Sequence, residues 1–455
     1  MASTFLTRTP SSAGNRKTFT ISAWVKRGTI SSANSQIIST GVYSSSQLFQ
    51  TFFESDDTLY ISDYTSGGSK SFQLSTNRKL RDINCWYHIL FAVDTTQGTA
   101  SNRVKVYING VQETSFSEAT YPSQNFDCAF NLNQLHTIAN RNGTNFQFGG
   151  SMSYLASVDG TQELPTIFGE IDTTTGQWKI KTSITPSSGW GTNGFLILKD
   201  GNSVTDQSGQ GNNWTVGGGT LTKTEDNPSN VFCTLNPLAR GDLTNNAILS
   251  NGNTYYSSDQ TGYNIRVGTI GANKGKWYWE GKFISHNPQT SPGMPLGIIA
   301  DNIPIATNVA GGQAPYYYAY NYDGSNGTVT YNSSDTNYGT TILNTVGQIG
   351  MVALDLDNNK VYFGVNGTWT NSGNPANGTN GYSIIDPADT PLGFYLPAVS
   401  DRSSIREYVY AWNFGNGYFG TTAVSSAGTN ASENGIFEYD CPAGFTALST
   451  KGLNL

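Results

Sequence analysis

The chain has 455 residues, a formal net charge of -7 and only 13% charged residues. An acidic, charge-poor chain has no basic stripe for a phosphate backbone, so nucleic acid is not an expected partner. Aromatics at 12% argue against disorder. The scarcity of Glu, Lys and Arg beside plentiful Thr, Tyr, Val, Phe and Trp argues against helical bundles, coiled coils and doubly wound α/β folds.

The opening segment, Met1 to Pro10, lacks an apolar stretch and does not read as a signal peptide. No apolar run approaches the ~18 residues of a membrane span, so insertion is not expected. From Phe19 the chain alternates. Phe19, Ile21, Ala23 and Val25 fall on one strand face, with Thr20, Ser22 and Trp24 opposite. Glu54-Ser55-Asp56-Asp57 reads as a polar turn and Arg78-Lys79-Leu80-Arg81 as a solvated loop. Trp86 to Val93 is apolar at nearly every position, as in a central strand covered on both faces. Val104, Val106 and Ile108 alternate with Arg103, Lys105 and Tyr107 and end at Asn109-Gly110, a strong two-residue hairpin signal. Strands separated by polar turns predict a two-sheet sandwich.

Phe19 to Lys26, Cys85 to Ile89, Val104 to Gly110, and Phe148-Gly149-Gly150 through Asp159 to Leu164 carry a resemblance to the laminin-G/concanavalin-A-like jelly roll. It spans about residues 15–170. Asn193 to Leu198, followed by Thr205 to Asn213, resembles the phrase that usually opens such a domain. Here it comes late, as if residues 191–217 return to complete the sandwich. The alternative is a strand pair belonging to a bridging region.

Breaker clusters fill 171–245, among them Asp172 to Gly176, Pro186 to Gly189 and Gly217-Gly218-Gly219. A second β unit begins near Asn246. Trp277 and Trp279 share a strand face. Ile349 to Leu356 and Lys360 to Val365 form a predicted hairpin across Asp357-Asn358-Asn359, with Val352, Leu354, Leu356, Val361, Phe363 and Val365 inward. Gly275 to Glu280, Leu296-Gly297-Ile298, Tyr320 to Gly324, Ile349 to Trp369, Leu396 to Ser400 and Trp412 to Gly415 resemble, in the correct order, the motifs of a SPRY (B30.2-like) domain. Gly350-Met351 stands where that family usually has Gly-Val. Cys441 to Leu448 is expected to pack back as an arm.

The expected fold is therefore all-β, with two antiparallel β-sandwich domains joined by a short irregular connector. The jelly roll takes 1–220, the connector 221–245, the SPRY-like sandwich 246–430 and the arm 431–455.

Signals for chemistry are sparse. Cys85, Cys128, Cys233 and Cys441 form no C-x-x-C and read as reduced, buried thiols. His88, His136 and His286 show no metal-ligand spacing. Glycoside hydrolases that share the jelly roll use Glu-x-Asp-x-x-Glu, and Glu170-Ile171-Asp172 matches only its start, so no enzyme activity is expected. Jelly rolls often hold Ca2+ on loop carboxylates. The candidate ligands are Asp94 and Asp206, with turn capping as their other role. Tyr316, Tyr318, Tyr320 and Tyr322 share one strand face beside Asp323. That set is a candidate aromatic platform for a ligand, or else a sheet ladder or subunit interface.

A laminin-G-like module followed by a SPRY-like one, with Phe168 to Gly176 at the joint, resembles virion structural proteins of marine bacteriophages. The resemblance implies a tail-fibre, receptor-binding component assembled in the host cytoplasm and displayed on the virion. Its implied partners are other virion proteins and a host cell-surface glycan or protein, and it implies self-association as a trimer. The alternatives are a capsid-decoration or tail-connector protein and a glycan depolymerase.

Overall fold

A computed structural model describes residues 4–31, 33–143, 145–199, 203–240, 248–258, 265–287, 296–301, 316–322, 327–332, 334–340, 343–400 and 407–454. The fold is all-β, and no α-helix occurs among the described residues. Two compact units divide the chain at Lys223/Thr224. The strand Leu235–Arg240, in the segment read as connector, belongs to the second unit and pairs with Ile265–Gly268.

The first unit stacks two sheets. The six-stranded sheet runs, in spatial order, Phe195–Ile197, Gly150–Asp159, Thr18–Arg27, Tyr87–Asp94, Val104–Ile108 and Val111–Glu113. The eight-stranded sheet runs Phe116–Thr120, Lys70–Lys79, Thr58–Tyr64, Leu48–Phe53, Ser35–Thr40, His136–Ile138, Phe5–Arg8 and Thr215–Gly218. The period-two pattern explains the packing. Phe19, Ile21, Ala23 and Val25 meet Ile89, Phe91, Val104 and Val106 from their own sheet, and Phe49, Phe53, Ile61, Phe72 and Leu74 from the other. Asn109 and Gly110 both take positive φ, the twist a two-residue hairpin needs between paired Ile108 and Val111. The late segment supplies an edge strand to each sheet: Phe195–Ile197 pairs with Gly150–Asp159, and Thr215–Gly218 pairs with Phe5–Arg8.

The second unit is also a sandwich. One sheet orders Leu235–Arg240, Ile265–Gly268, Leu396–Ser400, Leu296–Ile299, Tyr317–Tyr322, Gly327–Tyr331 and Ser334–Asn337. The other is built around Lys276–Asn287, flanked by Glu407–Asn413 and by the hairpin Ile349–Asp355/Lys360–Val365. Val352, Leu354, Val361, Phe363 and Val365 face the inter-sheet core with Trp277 and Trp279. Their alternates Met351, Ala353 and Tyr362 are buried too, because Phe437, Cys441, Phe445 and Ala447 of the C-terminal segment lie against them. Thr446–Ala447 pairs in parallel with Trp277 and Tyr278. The segment is held by Glu280, which accepts bonds from the N–H groups of Glu438 and Tyr439, each at 2.9 Å, and from the Tyr278 hydroxyl and Asn413 Nδ2. Burial pushes the Glu280 carboxyl up to about 7 against these four donors.

Candidate functional site

The face of the eight-stranded sheet turned away from the core is polar. Phe49, Phe53, Leu59, Ile61, Phe72 and Leu74 point inward, so Gln50, Phe52, Tyr60, Ser62, Gln73 and Ser75 occupy the opposite face. Register then aligns one residue per strand across the whole sheet. Thr120, Gln73, Ser62, Gln50, Ser39, Thr137, Thr7 and Thr215 pair in succession. Every member carries a hydroxyl or an amide. Neighbours in the row bond to each other: Ser39 Oγ and Thr137 Oγ1 are 2.8 Å apart, and Gln50 Nε2 donates to Ser62 Oγ at 3.3 Å.

A second row, Gln36, Phe52, Tyr60, Ser75 and Glu118, runs beside it. Tyr60 donates to Gln73 Oε1, Gln73 Nε2 donates to Glu118 Oε2 at 2.7 Å, and Ser75 Oγ donates to Glu54 Oε2. The Tyr60 hydroxyl also lies 2.9 Å from that of Tyr64. Phe52 and Tyr60 pack with ring centroids 4.4 Å apart, and Phe146 leans on Phe52 at 5.3 Å.

The middle of the row is buried, with Gln50 4% and Ser62 and Ser39 0% exposed, and its ends, Thr120 and Thr215, are exposed. Beside Gln50 one corner also reaches solvent. Tyr43, on the turn after Ser35–Thr40, is 48% exposed and meets Tyr64 edge-on at 5.5 Å. The Arg141 guanidinium lies 3.9 Å from the centroid of Phe146 and donates from Nη1 to Gln50 Oε1 at 3.3 Å. Aromatic rings beside converging amides, hydroxyls and a guanidinium suit a ring with apolar faces and many hydroxyls. The sequence reading passed over this face. Each of its members is an ordinary polar or aromatic residue in its own strand, most of them buried, and the sheet register alone lines them up.

The residues singled out from the sequence fall elsewhere. Tyr318 and Tyr320 are corrected: they are 2% and 1% exposed, inside the sandwich of the second unit. Tyr318 stacks on Tyr331 at 4.5 Å and Tyr320 on Phe363 at 5.2 Å, so they form a sheet ladder within the core and no open platform. Tyr316 is half-buried against the same core with positive φ. The side chain of Tyr322, and Asp323 altogether, lie outside the described residues.

Asp94 and Asp206 organise turns. Asp94 Oδ1 accepts from Thr96 N, Thr96 Oγ1 and Thr18 Oγ1, and its Oδ2 accepts from Gln97 Nε2. Asp206 accepts from Leu196 N, Ser208 N, Ser208 Oγ and Asn212 N. Four donors on each carboxylate are the marks of a cap. Among the described residues no group of three or more His, Cys, Asp or Glu side chains is placed to hold a metal.

Glu170 and Asp172 sit on a two-stranded hairpin, Gly169–Ile171 with Trp178–Ile180, where Lys179 approaches them at 3.5 and 3.2 Å. Its Trp178 covers His88. Trp178 Nε1 donates to His88 Nδ1 at 3.1 Å, which leaves Nε2 as the N–H facing Ser22 Oγ at 2.9 Å. Trp24 stacks on the imidazole at 5.0 Å. Burial holds this imidazole neutral, lowered to about 3. Gly169 and Gly110 make room for the indole, since a Cβ on either would come within 2.5 Å of it.

Residues 4–167 match the Laminin_G_3 family model, described as the concanavalin A-like lectin/glucanases superfamily. No curated protein sequence matches the chain. Among solved structures, the SPRY domain of human HERC1 is similar at 15% identity, over 39% of this chain and 96% of that one, with a TM-score of 0.30. The TRIM65 PSpry domain is similar at 14% identity, over 40% of this chain and 91% of that one, with a TM-score of 0.28. Stonustoxin is similar at 14% identity, over 40% of this chain and 28% of that one, with a TM-score of 0.29.

Proposed function

We propose that the chain is a carbohydrate-binding protein whose first unit takes a saccharide at the Tyr43 corner of the eight-stranded sheet. The observation that carries this reading is the row of hydroxyl and amide side chains leading to Tyr43, Tyr64, Gln50 and Arg141. The lectin/glucanase description of the family matched over residues 4–167 supports it. Binding without turnover is the preferred reading. The two carboxylates on the face, Glu54 and Glu118, are engaged by Thr58 and Ser75 and by Lys70 and Gln73, which suits support of the surface better than acid–base work.

In the finer reading the chain is a receptor-binding, tail-fibre-type component of a bacteriophage virion, the saccharide is on the host surface, and copies associate as trimers. The order of the two modules in the sequence supports that reading. The test is a glycan array probed with the purified chain and with Tyr43→Ala. Saccharide binding that the variant weakens at least tenfold supports the proposal. Silence across the array, or equal binding by the variant, refutes it. Adsorption to host cells and the mass of the assembly in solution test the virion reading separately.

A further inference from the structure

We propose that the saccharide is acidic, and that Arg141 receives its anionic group, a carboxylate or a sulfate ester. This rests on the binding reading above and narrows its ligand. The guanidinium has five N–H donors in a fixed fork. Among the described residues only Nη1 is engaged, at 3.3 Å, and Nε is buried without a partner. No carboxylate of a described residue pairs with it, because Glu54 and Glu118, the acids of this face, are held by Thr58, Ser75, Lys70 and Gln73.

The position of the cation is built. Phe146 backs the guanidinium plane at 3.9 Å, and Arg141 and Asn145 bond reciprocally through their backbones, which closes the loop that carries it. Burial lowers the Arg141 pKa, while the Tyr64 and Tyr43 phenols border it. A partly desolvated guanidinium with no counter-charge is costly by itself, and a planar or tetrahedral oxyanion matches its fork. A neutral sugar would leave that charge uncompensated, whereas an acidic one supplies the missing acceptors.

The experiment uses an array of neutral, carboxylated and sulfated saccharides, probed with the whole chain, Arg141→Gln and Arg141→Lys. The expected result is binding concentrated on acidic saccharides. Arg141→Gln should lose at least tenfold, with Arg141→Lys intermediate because it keeps charge and loses the fork. Carboxyl-reduced or desulfated forms of the best saccharides should lose as much on the unaltered chain, an arm that needs no variant to fold and that tells the two anions apart. Binding confined to neutral saccharides overturns the acidic ligand, and acidic binding unchanged in Arg141→Gln overturns the part given to Arg141, while in either case the binding reading stands. Silence on every saccharide overturns both.

Discussion

Arg27 Nη2 lies 3.0 Å from Asp57 Oδ1, and both side chains are buried, at 2% and 0% exposure. Arg27 ends a strand of the six-stranded sheet, and Asp57 sits in the turn between two strands of the eight-stranded sheet, so the pair fastens one layer to the other. Arg81 Nε and Ser31 Oγ complete the carboxylate at 2.7 and 2.6 Å, and Arg27 Nη1 donates to Leu80 O. Removing one partner of such a pair leaves a buried, uncompensated charge. Asp57→Ala is expected to cost the first unit about 3–5 kcal/mol in urea unfolding. Burial alone would raise the Asp57 carboxyl, but Ser31, Arg81 and Arg27 outweigh it and hold it at about 2. Its contribution is therefore complete above the ordinary carboxylate value and is lost as pH falls through about 2.

Asp63 should give the opposite slope. It is wholly buried, accepts one bond from Ala129 N at 2.6 Å, and its Oδ1 has no partner. Burial pushes it up to about 7, against the Ala129 N–H and Arg16. Between its unfolded value and about 7 the folded chain holds a proton that the unfolded chain has released. Stability falls as pH rises through that window, by up to ~1.4 kcal/mol per pH unit. Asp63→Asn should flatten the slope and be more stable than the unaltered chain at pH 8, as read by denaturant unfolding across pH 5–8.

Glu280 is the peg for the C-terminal segment of the second unit. Glu280→Ala leaves the N–H groups of Glu438 and Tyr439 without their acceptor and should destabilise that unit by ~2–4 kcal/mol. Limited proteolysis should then cut first within 424–440. Unchanged cleavage would show that Phe437, Phe445 and Ala447 hold the segment without the carboxylate.

Trp178→Ala should uncover His88. With the indole donor and one stacking face gone, the imidazole should titrate closer to its ordinary 6.5 than to about 3. The shift would be read from the ring proton resonances. An unchanged value would mean that the hairpin does not shield the imidazole.

The alternation in 19–25, 104–108 and 349–365 was legible because one face of each strand is core, and Asn109-Gly110 marked its turn through the backbone twist only such residues take. Alternation does not say which face is core. Tyr318 and Tyr320 do share a face, and that face is the buried one. Asp57 was legible as a turn residue but not as a clasp, because its partner lies 30 residues earlier, on the other sheet. The polar row was not legible for the same reason: Gln50, Ser62 and Gln73 become neighbours only through register.

The most direct measurement of the central claim is a crystal structure of the chain with the saccharide that binds it best. The account predicts density against Tyr43, Tyr64, Gln50 and Arg141. Density on the six-stranded sheet of the first unit, or on any part of the second unit with this corner empty, would contradict it.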